Sequence, residues 1–343
     1  MKLVTKIQRN SSFEALRIIA MLMIVVCHNR FFGDGGGMIV YSGNNVSQFF
    51  YFLICIGGIV ADNIFALVSG YYLIEDNNIS VLRIIRLWGQ VLFYSIIIYL
   101  FVSILGMGDR FSIKYLVINS LPITFNRFWF ASTYLVLYVI HPFINIIIKN
   151  ICQHSYLILL AVLYFLWCII PSFTFQHFQS NSLLWFITLY MTSGYIRLYG
   201  IKININFRKC LLAALFFYVL SAAYFTVFGS LIFRFNSNPV FFVQHIAIFA
   251  HSLAIFIAFT YLKPTYNKFI NIIASATFGV YLIHTHPCIW ISIWQCFSNV
   301  PNIVAIVVVY IGSTIIELLR QHMIEKPFLK LFDKFTLRPI EIA

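Results

Sequence analysis

Charge is what this chain lacks. Only 10% of its 343 residues are Asp, Glu, Lys or Arg and 61% are hydrophobic, whereas a soluble domain carries about 25% charged residues. That balance excludes a soluble globular domain and implies a polytopic membrane protein. Acidic residues are scarcest, 10 Asp and Glu against 23 Lys and Arg, for a net charge of +13. On a soluble protein such an excess would suggest nucleic acid. Here the cations cluster at alternate loops rather than along one stripe, so the excess is topological and no nucleic-acid partner is expected. Paired cysteines are missing as well. The seven cysteines are scattered through apolar segments, without a CxxC pair. They read as small buried hydrophobes, not as a disulfide frame or a zinc site. A cleavable leader is not expected either. Lys2, Lys6 and Arg9 precede an apolar run, but no small-x-small site follows and the run carries Arg17 and His28. It reads as an uncleaved first span. GxxxxGK[ST], HExxH, GxSxG and GxGxxG are all absent, and no ligand set for a metal is visible. Any chemistry must therefore come from ionisable groups inside the membrane.

What is present is a series of ten apolar runs, at 15–32, 47–74, 84–106, 128–148, 155–171, 183–199, 210–229, 240–262, 271–294 and 302–320. They predict an all-α integral membrane bundle of about ten transmembrane helices with both termini cytoplasmic. The domain reading is a cytoplasmic tail over 1–12, a ten-span membrane domain over 13–330 and a second cytoplasmic tail over 331–343. With the N-terminus inside, 18 of the 23 Lys and Arg fall on the cytoplasmic side, and only Arg30, Arg110, Lys114, Arg127 and Arg234 fall outside. That is a strong positive-inside bias. The apolar stretch 111–123 is short and contains Pro122, so it is expected to be interfacial or re-entrant; an eleventh span there would destroy the bias. In the long second run, Gly57-Gly58 and Ser69-Gly70 could break or tilt the helix. Trp129 and Trp185 are placed as belt residues near the outer interface.

Within these runs lies a polar constellation. Arg17 and His28 are eleven residues apart, which at about 100° per residue returns His28 to within roughly 20° of Arg17, and at about 1.5 Å per residue separates them by roughly 16 Å. A cation at the membrane edge and an imidazole at depth can hold the two ends of a long anionic molecule, with the Gly-rich stretch Gly33–Gly37 letting the backbone fold back beside it. Asp62 and Ser69 share a face of the second span. Arg83 and Arg86, at i and i+3 at the cytoplasmic mouth of the third, suit phosphate or plain topological anchoring. His284 and His286 point to different faces, a poor geometry for a metal; Pro287 frees a carbonyl that a histidine can satisfy. Glu317 and Arg320 read as a structural ion pair, Pro327 as the end or redirection of the last helix, His141-Pro142 as a kink, and His245 and His251 as packing.

These residues, in this order, resemble the acyltransferase-3 superfamily of integral-membrane O-acyltransferases. The family's Arg-x10-His pattern is met by Arg17 and His28. Its aspartate, aromatic and Ser-Gly-aromatic pattern is met by Asp62, Phe65 and Ser69-Gly70-Tyr71, and its Arg-x-x-Arg by Arg83 and Arg86. Phe278-Gly279-Val280-Tyr281-Leu282-Ile283-His284 and Glu325-Lys326-Pro327-Phe328 meet the two late patterns. Ile18 stands where glycine is frequent, and Ala66 where the family usually has an apolar or aromatic residue before its Ser-Gly motif. The resemblance implies a multi-pass protein of the bacterial plasma membrane. Its activity would be transfer of an acyl group, usually acetyl from acyl-CoA as co-substrate, to a hydroxyl of an extracytoplasmic glycan or polysaccharide, with no permanently bound cofactor and no metal. It assigns His28, Asp62 and Ser69 to catalysis, as general base, orienting acid and oxyanion donor. Arg17, Arg83 and Arg86 would bind acyl-CoA, with His284 and Glu325 in support. Some relatives carry a fused extracytoplasmic domain that this chain is expected to lack, so either it acylates the glycan directly or a separate extracytoplasmic transferase completes the step. A glycan or lipid transporter or flippase is the alternative from another class.

Overall fold

The computed structural model describes residues 10–33, 45–106, 111–174, 182–235, 243–332 and 339–341. Residues 1–9, most of the Gly-rich stretch (34–37), and 333–338 and 342–343 of the expected C-terminal tail lie outside them. In chain order the helices are α1 (Ser11–Gly33), α2 (Asn45–Leu73), α3 (Val81–Leu105), α4 (Ile113–Ser120), α5 (Trp129–Lys149), α6 (Gln153–Tyr164), α7 (Ile170–Thr174), α8 (Ser182–Tyr199), α9 (Phe207–Phe235), α10 (Ile246–Thr260), α11 (Lys268–His284), α12 (Ser292–Gln295), α13 (Asn302–Arg320) and α14 (Lys326–Phe332). Among the described residues, seven helical stretches are long and apolar enough to cross a bilayer: α1, α2, α3, α5, α6 with α7, α9, and α13 with most of α14. This is an all-α, multi-pass membrane protein. The other three expected spans fall on the shorter helices α8, α10 and α11. Helix α4, in the stretch 111–123, has eight residues and is about 12 Å long, too short to cross. A two-residue antiparallel pairing, Asn78–Ile79 with Ile340–Glu341, returns the chain's end to the turn between α2 and α3.

Helix α2 is the central element, packed against α1, α8, α9 and α10. It runs unbroken from Asn45 to Leu73, so its glycines do not interrupt it. A Cβ on Gly58 would lie 2.4 Å from Cys27 Cβ, and one on Gly70 would lie 2.7 Å from Tyr190 Cα. These glycines permit close helix approach, as small residues do where helices pack in a membrane. Helix α5 likewise continues through Pro142. The carbonyl that the proline cannot serve, that of Tyr138, accepts from His141 Nδ1 instead. At Pro287 the expected histidine side chain is not used; the freed Ile283 carbonyl accepts from the backbone N–H of His286.

Other expectations need correction. Trp185 is no belt residue: it is fully buried and donates from Nε1 to Asn63 Oδ1 at 2.8 Å. Only four cysteines are buried; Cys152 and Cys296 are exposed and Cys288 is intermediate. Pro327 does not end the last helix. A π-helical turn, Gln321–Glu325, joins α13 to α14, and Pro327 sits in the first turn of α14, where a missing N–H is tolerated.

One register matters most for the site. Ser11, at the start of α1, accepts at Oγ from the Asn267 backbone N–H (2.7 Å) and donates from Oγ to Asn271 Oδ1 (2.9 Å). Asn267 caps α11, its Oδ1 accepting from Phe269 N and Ile270 N. Helices α1 and α11 therefore start level, and α11 packs along α1. Seventeen residues on from Ser11 is His28, and seventeen on from Asn267 is His284. At 1.5 Å per residue both arrive about 25 Å along, near the far side of a hydrocarbon layer about 30 Å thick.

Candidate active site

A cavity of about 410 Å³ lies among α1, α2, α3, α5, α11 and the π-helical turn. Its walls hold Arg17, Asp62, Ser69, Arg83, Arg86 and Glu325, six of the eight residues singled out in the sequence. His28 and His284 do not line it. The wall does include Ile24, four residues before His28, and Tyr281, three before His284. The cavity thus reaches from the arginines to within about one helical turn of the histidines.

The arginine end is balanced rather than purely cationic. Arg17 Nη1 lies 3.3 Å from Glu14 Oε1, and Arg86 Nε 3.3 Å from Glu325 Oε1. Arg83 has no carboxylate partner among the described residues; its guanidinium lies over the Tyr138 ring, 5.2 Å from the centroid. Its backbone N–H is held by the Ser80 side chain, the N-cap of α3. Ser69 donates to the Phe65 carbonyl at 2.8 Å. Because α1 and α2 run antiparallel, with Gly58 against Cys27, Ser69 stands level with Arg17 and roughly 16 Å from the depth of His28. That removes it from an oxyanion formed beside His28. Asp62 lies one turn nearer the arginine end than Gly58, about 6 Å from the histidine level. It makes no hydrogen bond or ion pair among the described residues, so it is not the group that orients His28 by contact.

That group is His284. Its Nδ1 lies 2.6 Å from the Val280 carbonyl, and its Nε2 lies 3.0 Å from His28 Nδ1. A carbonyl only accepts, so in the neutral pair His284 carries its proton on Nδ1 and accepts at Nε2. His28 must then donate from Nδ1, which places its lone pair on Nε2. His284 is 1% exposed, and the indole of Trp294 packs edge-on against it at 6.5 Å. Its neighbour His286 is structural: Nε2 donates to the Ser95 carbonyl (3.2 Å) and Nδ1 accepts from Cys288 N (3.1 Å). The chain matches the profile of the acyltransferase-3 family, described as an acyltransferase domain, over residues 10–319. It belongs to the acyltransferase-3 family. Neither a curated protein nor a solved structure matches it.

In this acyltransferase a buried ion network backs the arginine end. Arg320 grips Glu317 through two hydrogen bonds of 2.8 Å each, and Tyr94 and Gln321 donate to the same carboxylate at 2.7 and 2.8 Å. Arg320 also pairs with Glu325, which continues to Arg86. The pair at i and i+3 was legible; Tyr94 was not, because nothing local marks a tyrosine as the partner of a glutamate 223 residues away. Among the described residues no three His, Cys, Asp or Glu side chains are grouped to hold a metal.

Proposed function

We propose that this protein transfers an acyl group, acetyl first among candidates, from cytoplasmic acyl-CoA to a hydroxyl of an extracytoplasmic glycan. It does so as a ten-span plasma-membrane protein with both termini inside. The observation that carries the reading is the His28–His284 hydrogen bond, about one helical turn beyond a cavity whose near end holds three arginines. The phosphates of the donor bind Arg17, Arg83 and Arg86 by charge-assisted hydrogen bonds. The arm follows the face of α1, and the roughly 16 Å between Arg17 and His28 brings the thioester to the histidine level.

There His28 Nε2 takes the proton of the acceptor hydroxyl as the oxygen attacks the thioester carbonyl. The C–S bond breaks, and the thiolate leaves with the proton that His28 returns. His284 positions the base, in the role that a triad acid plays by contact. Asp62, a turn away on the cavity wall, is placed to stabilise the imidazolium through space when it is ionised. Direct acylation of the glycan requires no further protein; a separate extracytoplasmic transferase would take the acyl group at the same level.

Mass spectrometry of envelope glycans from cells with the protein, without it, and with His28→Ala tests the proposal. One acyl unit should be present only with the unaltered protein at equal membrane abundance. Unchanged glycans would overturn it, and glycan movement without consumption of acyl-CoA would assign the protein to transport.

A further inference from the structure

Helix α3 turns one face to the cavity. Arg83, Arg86, Leu87 and Gln90 all line it, and positions i, i+3, i+4 and i+7 form one stripe. The two arginines stand at the mouth, and Gln90 stands one turn further in. Gln90 is only 8% exposed, and its Nε2 is sealed from solvent with no hydrogen-bond partner. One turn deeper on the same helix, the buried Tyr94 hydroxyl has its partner in Glu317. Gln90 is the polar group of this stripe that the protein itself leaves unserved among the described residues. Burying an amide donor without a partner is unfavourable, and the cost is recovered when an acceptor arrives.

We infer that Gln90 binds the pantetheine arm of the donor, at the hydroxyl and first amide beyond the pyrophosphate. The inference rests on the acyl-CoA reading. Four residues of helix separate Arg86 from Gln90 by about 6 Å. An extended five-bond chain is also about 6 Å long, given backbone-like bonds near 1.5 Å. Five bonds is the path from the phosphate ester oxygen through the methylene, the quaternary carbon and the hydroxyl-bearing carbon to the first amide carbonyl oxygen. A phosphate held at Arg86 therefore sets that hydroxyl and carbonyl beside Gln90, whose amide both donates and accepts. Gln90 would distinguish CoA from nucleotides that carry similar phosphates but no arm.

The test uses purified full-length protein in detergent micelles and two probes, CoA and adenosine 3′,5′-bisphosphate. Gln90→Met keeps the side-chain length and removes both polar atoms. The Kd for CoA should rise about tenfold, the effect of one buried hydrogen bond, while the Kd for the bisphosphate stays unchanged. Equal CoA affinity in the two proteins overturns the inference, as does an equal loss for both probes, which would mark a general distortion. If Gln90→Met does not fold, Gln90→Asn must show the same loss confined to CoA, and an Asn variant that binds CoA normally overturns the assignment. An unaltered protein that binds neither probe instead overturns the acyl-CoA reading itself.

Discussion

Replacing His284 with leucine removes the acceptor that holds His28 Nδ1 at 3.0 Å while keeping an apolar group against Trp294. The imidazole N–H of His28 then loses its His284 partner at depth. Loss of a buried hydrogen-bond partner costs roughly 1–3 kcal/mol, a factor of about 5 to 150. Part of that appears as lost rate, because position 284 then no longer favours the proton on Nδ1 over Nε2, the wrong nitrogen for a base. The ceiling is the whole contribution of general-base catalysis, about 10²–10⁴, so His284→Leu must retain more activity than His28→Ala. Glutamine supplies the discriminating variant. Its Oε1 reaches near the position of Nε2 and accepts the same hydrogen bond, so His284→Gln should recover a large share of the loss. Initial rates of acetyl transfer from labelled acetyl-CoA to a glycan acceptor, measured in proteoliposomes at matched protein content, read all three variants. Full activity in His284→Leu refutes the positioning argument. So does a His284→Gln variant as inactive as His28→Ala, because an acceptor alone would then not suffice.

Two further predictions concern the arginine end and its support. Combined Arg83→Ala and Arg86→Ala should weaken CoA binding by at least tenfold, through loss of two charge-assisted phosphate contacts; unchanged binding in a titration would return both residues to topological anchoring. Gly279→Ala should destabilise the protein by about 1–3 kcal/mol, because the new Cβ would lie 2.4 Å from Glu317 Cγ and strain the buried Glu317–Arg320 pair. A lowered midpoint of thermal unfolding in micelles checks it, and an unchanged midpoint refutes the steric account.

Much of the site was legible because it depends on spacing within single helices. Arg17 and His28 share a face of α1 by helical arithmetic, and Arg83 and Arg86 do the same on α3. What was not legible depends on how helices meet. The partner of His28 is 256 residues away, and the same offset separates Ser11 from Asn267, but no periodicity within either helix announces a register between them. Without that register, Asp62 was the nearer choice by chemical type, and Ser69 looked catalytic because its depth relative to His28 was unknown. Gly57-Gly58 is a similar case. A glycine pair in an apolar helix signals either a break or a close approach, and only Cys27 on the facing helix decides between them. A histidine does serve a proline-freed carbonyl, but at Pro142 rather than at Pro287, because which histidine can reach back is a matter of rotamer and packing.

The pairing of Glu325 with Arg86 gives the arginine end its last testable property. Two of the three arginines on the cavity wall already have a carboxylate beside them, Glu14 at Arg17 and Glu325 at Arg86, so an arriving phosphate must compete with carboxylates already in place. At Arg86 the competitor is Glu325 at 3.3 Å, on an arginine side chain that is 49% exposed. An ion pair so accessible to water is worth about 1 kcal/mol or less. Glu325 does not depend on Arg86 for its own burial, since Arg320 also holds it. Arg320 in turn does not depend on Glu325, since Glu317 grips it with two hydrogen bonds. Removing the charge at position 325 should therefore free Arg86 without collapsing the network. Glu325→Gln is expected to tighten CoA binding by up to about fivefold, with the gain shrinking as salt screens the competing pair, and with little change in thermal midpoint. Weaker CoA binding in this variant at an unchanged midpoint would mean that Glu325 orients Arg86 for the phosphate rather than competing with it, and the charge-balance argument would fail.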